Sequence, residues 1–565
     1  MKYIINLKMI VSAIFVVCLF ACNEDKGNYD YTGIARMDSI NKIEESYVVE
    51  LGERLKITPE LETFGGNLDD FDYTWYYQAE KAKWNVLQEG KDLDFVIAAP
   101  LGSANKTYTC AFEAVNKKTQ ISYRKIFSIK VAGDFGRGYV VLYETETGFD
   151  MSMIVLNAQN QFVPKLNILE SVAPALQREG VKPHDICIFV DRTAPHPYQT
   201  DGSGRSVYLL TDQYTTRLKS VDFSWDPSYD ISNVVESNSP FYKEFVASGK
   251  PAVVQKMKVS FLVSGSSLVS RAYAYMKNSE EKGDWYVYST YPTWLFFSYP
   301  MNDIRATNGG QRYEPAPFLS NGSFGTMFFD VNKNQFYYQT LPNGPSDMGS
   351  TSLFYTEPLP DETNEATDQT FNFNTPNEGL LYMSEWYTSG TNPNMFAILK
   401  QSDGTFKYIE WRSLKKVGDL VKKENKTRLS RIEASSRIDK AKFFAPSPAG
   451  PFLYYVTEDN KVYYADVSNA TARVVEITDQ VVPEGYGEIT AFKFMVPSGG
   501  PASKSLGVAT YNSSLGKDAG GRIDFFTTKS TTGALEKTKH KVKSDEEVEM
   551  SWSGFGKIVS MDYKP

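Results

Sequence analysis

GYGEITAFKF, residues 485–494, returns as GFGKIVSMDY at residues 554–563, and the reading of this pair decides the fold. Both copies run Gly, aromatic, Gly, any residue, Ile, and then alternate large apolar positions: Ile489, Phe492 and Phe494 in one, Ile558, Met561 and Tyr563 in the other. A glycine-rich turn that feeds an alternating apolar run reads as a strand entering a packed layer. A strand unit stated more than once points to a solenoid or a propeller.

Outward from this pair, the unit recurs with variations over residues 134–565. TMFFDVNKNQFYYQ (326–339) and LYYVTEDNKVYYAD (453–466) each set aromatic strands around a polar hairpin turn rich in Asn and Asp. Longer-looped versions run over 138–162, 380–406 and 506–526, and further units fit around 206–213 and 260–290. RIDKAKFFAPS (437–447) reads as a copy of EITAFKFMVPS (488–498), aligning Lys442 with Lys493, Phe443 with Phe494 and Pro446 with Pro497. The count is about seven units of roughly 40 to 60 residues, so the expectation is a β-propeller of about seven blades. A ring is preferred to an open solenoid because the last phrase then closes it and leaves no strand edge exposed. An array of β-sandwiches is the alternative. Two stretches depart from the pattern: 166–180 reads as a short helix despite Pro174. The basic run 412–431, with Lys415, Lys416, Lys422, Lys423 and Lys426, reads as an insertion or an exposed strand pair with a solvated face.

Upstream, residues 36–133 hold six or seven short alternating strands, the pattern of an immunoglobulin-like sandwich. Trp75 stands where such folds bury an aromatic, and Tyr108-Thr109-Cys110 resembles a tyrosine corner. Leu55 and Ile57 occupy the region of the partner cysteine, so no inter-sheet disulfide is expected. Asp69, Asp70 and Asp72 match no calcium loop and read as a solvated turn.

The first 21 residues read as a signal peptide: Lys2 and Lys8, then a twelve-residue apolar run too short to span a bilayer. Leu19-Phe20-Ala21-Cys22 resembles the lipobox of bacterial lipoproteins, which implies cleavage before Cys22 and acylation of that residue. Residues 22–35 then form a tether. Asn23, Glu24, Asp25 and Lys26 resemble the surface-export signal of Bacteroidetes lipoproteins, which implies a lipid-anchored protein on the outer face of an outer membrane. With Cys18 lost and Cys22 lipidated, Cys110 and Cys187 remain, in different domains, and are expected as buried free thiols.

Composition limits the function. The 565 residues carry 36 Tyr and 35 Phe, which favours all-β structure and supplies stacking surfaces. A net charge of -8 disfavours a nucleic-acid partner. His184 and His196 bracket Asp185 and Asp191, but without a zinc motif they read as ordinary loop histidines. No hydrolase elbow is present, since GSFG at 322–325 lacks it, and no carboxylate pair stands out. No catalytic residue, metal or cofactor is expected. The candidate ligand-binding residues are aromatic: Trp294, Trp386, Tyr387 and Tyr511, at strand-to-loop transitions where flat rings stack on sugars or receive peptide side chains.

Taken together, CNEDKGNYDYTG, YTWYY, TYTC, GRGYVVLYET and the terminal GKIVSMDYK resemble the PKD-like lipoproteins of Bacteroidetes over essentially the whole chain. That resemblance implies a non-catalytic accessory to a SusC/SusD-type (RagA/RagB-type) outer-membrane importer. It would act with that transporter and other surface lipoproteins, binding or scaffolding the capture of an oligopeptide or glycan. The alternative is a propeller-fold carbohydrate-active hydrolase or lyase. Only Cys22 carries a role over from the family.

Overall fold

The structure is a computed structural model that describes residues 35–564 apart from 51–52, 79–82, 98–99, 102–105, 133–134, 158–159, 191–204, 234–248, 250–251, 265–266, 278–280, 288–299, 303–311, 323–324, 341–356, 359–377, 387–393, 412, 418–419, 425–427, 496–504 and 543–545. Residues 1–21, read above as a signal peptide, and Cys22, Trp294 and Tyr387 therefore lie outside the described residues. The chain is all-β and divides into two compact units, one of residues up to 101 with 107–130, and one of residues 102–106 with 131 onward.

The first unit contains a five-stranded antiparallel sheet, in the order Ser46–Glu50, Ser122–Ala132, Thr107–Asn116, Phe71–Gln78, Trp84–Glu89. Two ribbons accompany it, Arg36–Asn41 with Glu60–Phe64 and Arg54–Ile57 with Leu93–Val96. Alternation explains the core: Phe71, Trp75, Tyr108, Cys110, Phe112 and Phe127 are buried. Trp75 donates its indole N–H to the Gly90 carbonyl at 3.1 Å and packs on Phe112 and Phe127, with ring centroids 4.7 and 5.8 Å away. Its burial contributes about 3 kcal/mol. The acidic cluster forms a 3₁₀ turn, Leu68–Asp70, in which the Asp70 carboxylate accepts the Asn67 N–H at 2.8 Å, as the solvated-turn reading expects.

Among the described residues, the second unit contains seven sheets of three to five strands in chain order, each entered through a leading strand. The second to seventh leading strands are Pro183–Val190, Val254–Ser264, Ser320–Gly322, Gly379–Trp386, Ala441–Pro446 and Glu488–Phe494. The first sheet runs Phe162–Lys165, Phe149–Leu156, Arg137–Glu144, Lys557–Lys564, so its leading strand comes from the far end of the chain. Lys557–Lys564 pairs antiparallel with Arg137–Glu144 from Gly138↔Lys564 to Glu144↔Lys557.

Apolar side chains join each sheet to the next. Val140 and Leu142 share a core with Ile186 and Val207; Tyr208 and Leu210 with Met257 and Ala274; Tyr273 and Trp285 with Phe328 and Tyr337. Met327 and Phe329 pack with Met395 and Ala397, Phe396 and Ile398 with Leu453 and Tyr455, and Tyr454 and Val456 with Phe492 and Val508. Ala509 and Phe525 of the seventh sheet then pack with Tyr139 and Met561 of the first, returning the succession to its start.

Six leading strands carry a register shift near their start, a β-bulge that leaves one residue opposite no partner: His184, Gln255, Leu381, Lys442, Thr490 and Val559. The shift corrects one sequence alignment. The bulges place Lys442 opposite Thr490 in the repeat, so Ala445, not Lys442, is the counterpart of Lys493. The two copies of the opening phrase do superpose, Thr490 on Val559 and Lys493 on Asp562.

The stretch after residue 166 forms the helix Ile168–Val172 and a 3₁₀ turn, Pro174–Leu176. Buried Asp150 accepts the Leu169 and Glu170 N–H groups at 2.8 and 3.3 Å, which supplies the helix start with an acceptor. The basic run forms a hairpin, Ser413–Val417 with Leu420–Glu424, inserted before the last strand of the fifth sheet.

Candidate functional site

The bulges set the alternation of the leading strands, and polar side chains that follow five of them, Asp185, Lys256, Lys258, Ser384, Glu385, Lys493, Ser560 and Asp562, form a cluster. Asp185 of the second sheet accepts the Ser560 hydroxyl of the first at 2.5 Å, and the Ile186 N–H reaches Ser560 Oγ at 3.3 Å. Asp562 accepts the Ile188 N–H at 2.9 Å and pairs with Lys493 of the seventh sheet at 3.5 Å. Lys258 of the third sheet reaches the fifth, pairing with Glu385 at 3.0 Å and donating to Ser384 Oγ at 3.0 Å. Ser320 of the intervening fourth sheet donates to the Ser384 carbonyl at 2.5 Å.

Exposure divides this cluster by sign. The carboxylates of Glu385 and Asp562 are 2% and 10% exposed, whereas the Lys258 and Lys493 side chains keep 32% and 38% of their surface accessible. Lys256 is more exposed still. The lysine side chains therefore keep part of their surface in solvent, while the carboxylates they pair with are buried. Burial opposes charge on Lys258, but Glu385 outweighs it and raises the lysine above its usual range. Lys493 behaves alike, with Asp562 and Asp185 outweighing its burial. Asp562 is itself pushed up by burial despite Lys493; the ion-pair geometry favours a charged pair. Lys256 is lowered, since burial and Lys258 exceed the attraction of Asp185.

Beside the lysines runs a strip of half-buried rings. Lys256 Nζ lies 4.2 Å from the Phe318 ring centroid. Phe318 meets Tyr382 edge-on at 5.2 Å, and Tyr382 stacks on Phe444 at 4.3 Å.

The aromatic residues singled out from sequence fare differently. Trp386 is fully buried, packed on Phe396 and Tyr408 at 5.7 and 6.0 Å, so it presents no ring to a ligand; the strand carries it into the core between the fifth and sixth sheets. Tyr511 ends the strand Ser505–Tyr511, half-buried, with Lys557 Nζ 5.8 Å from its ring centroid. The structure does not bring these two together. His184 lies on a leading strand rather than a loop, its Nε2 3.1 Å from the Val254 carbonyl oxygen; His196 and Asp191 lie outside the described residues. Among the described residues no group of three or more His, Cys, Asp or Glu is placed to hold a metal ion, and no helix is long and apolar enough to cross a membrane. Cys110 and Cys187 are free and buried, and burial pushes the Cys110 thiol up to about 12.

Comparison with known proteins finds the PKD-like family over residues 22–172, a span that runs past the first unit into the first sheet of the second. No curated protein sequence matches the chain. Among solved structures, BBS1N in complex with ARL6DN is 8% identical with a TM-score of 0.24, covering 62% of this chain and 84% of that one. The WD40 domain of SCAP from fission yeast is 7% identical, TM-score 0.21, covering 80% and 70%. PorZ, a bacterial surface component of the type-IX secretion system of Porphyromonas gingivalis, is 9% identical, TM-score 0.16, covering 90% and 62%. Scores this low carry no argument about function.

Proposed function

We propose that the second unit is a seven-bladed β-propeller, and that the chain is a non-catalytic binding subunit displayed on the outer face of an outer membrane by a lipid on Cys22. It serves a SusC/SusD-type (RagA/RagB-type) importer and captures an oligopeptide or glycan for it. The propeller reading is supported by the seven chain-ordered sheets, the cyclic succession of cores and the pairing of Lys557–Lys564 with Arg137–Glu144. The anchor and the importer rest on the sequence features at 19–26 and on the family resemblance. The single observation that carries the binding reading is the cluster of partly exposed lysine side chains paired with buried carboxylates on the leading strands.

The experiment is affinity capture of the full lipidated chain from outer membranes, with identification of its companions, followed by incubation with peptide and glycan libraries. The expected result is a TonB-dependent channel among the companions and a bound ligand recovered unchanged. Cys22→Ala should release the chain from the membrane. Product formation from a library member would overturn the non-catalytic reading in favour of a carbohydrate-active enzyme. A chain that captures a channel but no ligand would reduce it to a structural part.

A further inference from the structure

The ammonium groups of the cluster have unequal numbers of partners. Each carries three N–H donors. Lys258 donates to Ser384 and forms an ion pair with Glu385, and Lys493 donates to the Met561 carbonyl, 3.4 Å away, and pairs with Asp562. Lys256, two residues before Lys258 and on the same side of the strand, forms no ion pair among the described residues, feels Asp185 only through space, and lies over the face of Phe318. The apolar residues of this strand, Val254, Met257 and Val259, face the core shared with the second sheet, so both lysines are directed away from it.

From this geometry we infer that Lys256 and Lys258 bind the carboxylate of a small organic acid whose flat body lies along Phe318, Tyr382 and Phe444. This deepens the proposed function, rests on its binding reading, and names the chemical class that the cluster takes. A carboxylate accepts several hydrogen bonds at once, and bonds between ionised partners are roughly twice as strong as neutral ones. It meets the Lys256 ammonium and a remaining donor of Lys258, while the buried Glu385 and Asp562 keep their ion pairs with Lys258 and Lys493. The neighbouring rings are half-buried and offer contact area to a planar or ring-shaped body. A phosphate alone gains the charge but not the rings.

Titration calorimetry on the full-length lipidated protein in detergent tests this, with benzoate, galacturonate, benzamide, galactose and inorganic phosphate as probes. The two acids should bind, and their uncharged counterparts and phosphate should bind at least about tenfold more weakly. Benzoate and galacturonate distinguish an aromatic from a sugar acid. Lys256→Met should weaken the acids about tenfold and Lys256→Arg should restore them, since a planar guanidinium keeps the charge. Lys256 has no ion pair among the described residues to lose, so Lys256→Met should leave thermal unfolding without ligand unchanged. Equal binding of acids and amides, no acid binding at about 10 mM, or acid binding indifferent to Lys256→Met would overturn the inference. A protein that ignored every acid yet still captured a library ligand would overturn this assignment and leave the broader binding reading standing.

Discussion

Lys493 and Asp562 occupy the same position in the two copies of one phrase, and they pair with each other at 3.5 Å. Removing one member leaves the other without its counter-charge in a site where Asp562 is only 10% exposed. Lys493→Met should therefore cost about 2 kcal/mol in urea unfolding, less than a fully buried pair because the lysine keeps water access. Lys493→Met combined with Asp562→Asn should recover part of that loss; a double variant no better than the single one would mean that the pair does not act as a unit. The pH dependence follows from the direction of the lysine's shift. Asp562 and Asp185 raise Lys493 above its ordinary 10.5, so its contribution is complete below pH 10.5 and is lost as the pH rises through the higher folded-state value. Stability should fall on that alkaline limb, and fall less in Lys493→Met. The thiols make a second check at this scale. Cys110 and Cys187 are buried and their thiols are pushed up, chiefly by burial, so neither should react with a thiol reagent until the chain unfolds. Rapid labelling of the native protein would contradict their placement.

The recurrent element is a glycine-led strand with a bulge near its start. Gly554 has φ +89°, and a methyl group at Gly556 would meet the Glu144 carbonyl oxygen at 1.9 Å. Gly554→Ala should cost about 1 to 2 kcal/mol through backbone strain, and Gly556→Ala more, because it pushes the final strand away from its partner. Equal, negligible effects in thermal unfolding would show that the final strand does not need its turn. The strands were legible in the sequence through their aromatic alternation and polar hairpins. The bulges left a fainter trace: Ile489 and Phe492, like Ile558 and Met561, stand three apart where strict alternation places them two apart. Missing that step shifted Lys442 onto Lys493, because a chance Lys-Phe and Pro-Ser match outweighed the pleat. Trp386 misled for a related reason: the loop begins right after it, but its position on the pleat turns it inward. The lysine cluster was invisible as a motif because each sheet contributes one or two residues and only the succession of sheets collects them. Lys256 and Lys258 stand in a strand whose charges, read alone, look like an ordinary solvated face.

At the scale of the molecule, the Trp-centred sheet of the first unit draws all its strands from residues 46–132. The second unit is different, because its first sheet is unfinished until Lys557–Lys564 arrives from the other end of the unit. That strand also contributes Ile558, Met561 and Tyr563 to the core shared by the seventh and first sheets, and Asp562 to the polar cluster. Without it, Arg137–Glu144 would present an unpaired edge and the succession of cores would be open at one point. Hydrogen exchange with limited proteolysis on a chain truncated before Gly554 tests this account most directly. It predicts that the second unit loses protection throughout, while the first keeps a protected sheet around Trp75. A truncated chain whose second unit stayed compact and protected over residues 137–537 would contradict closure by the final strand.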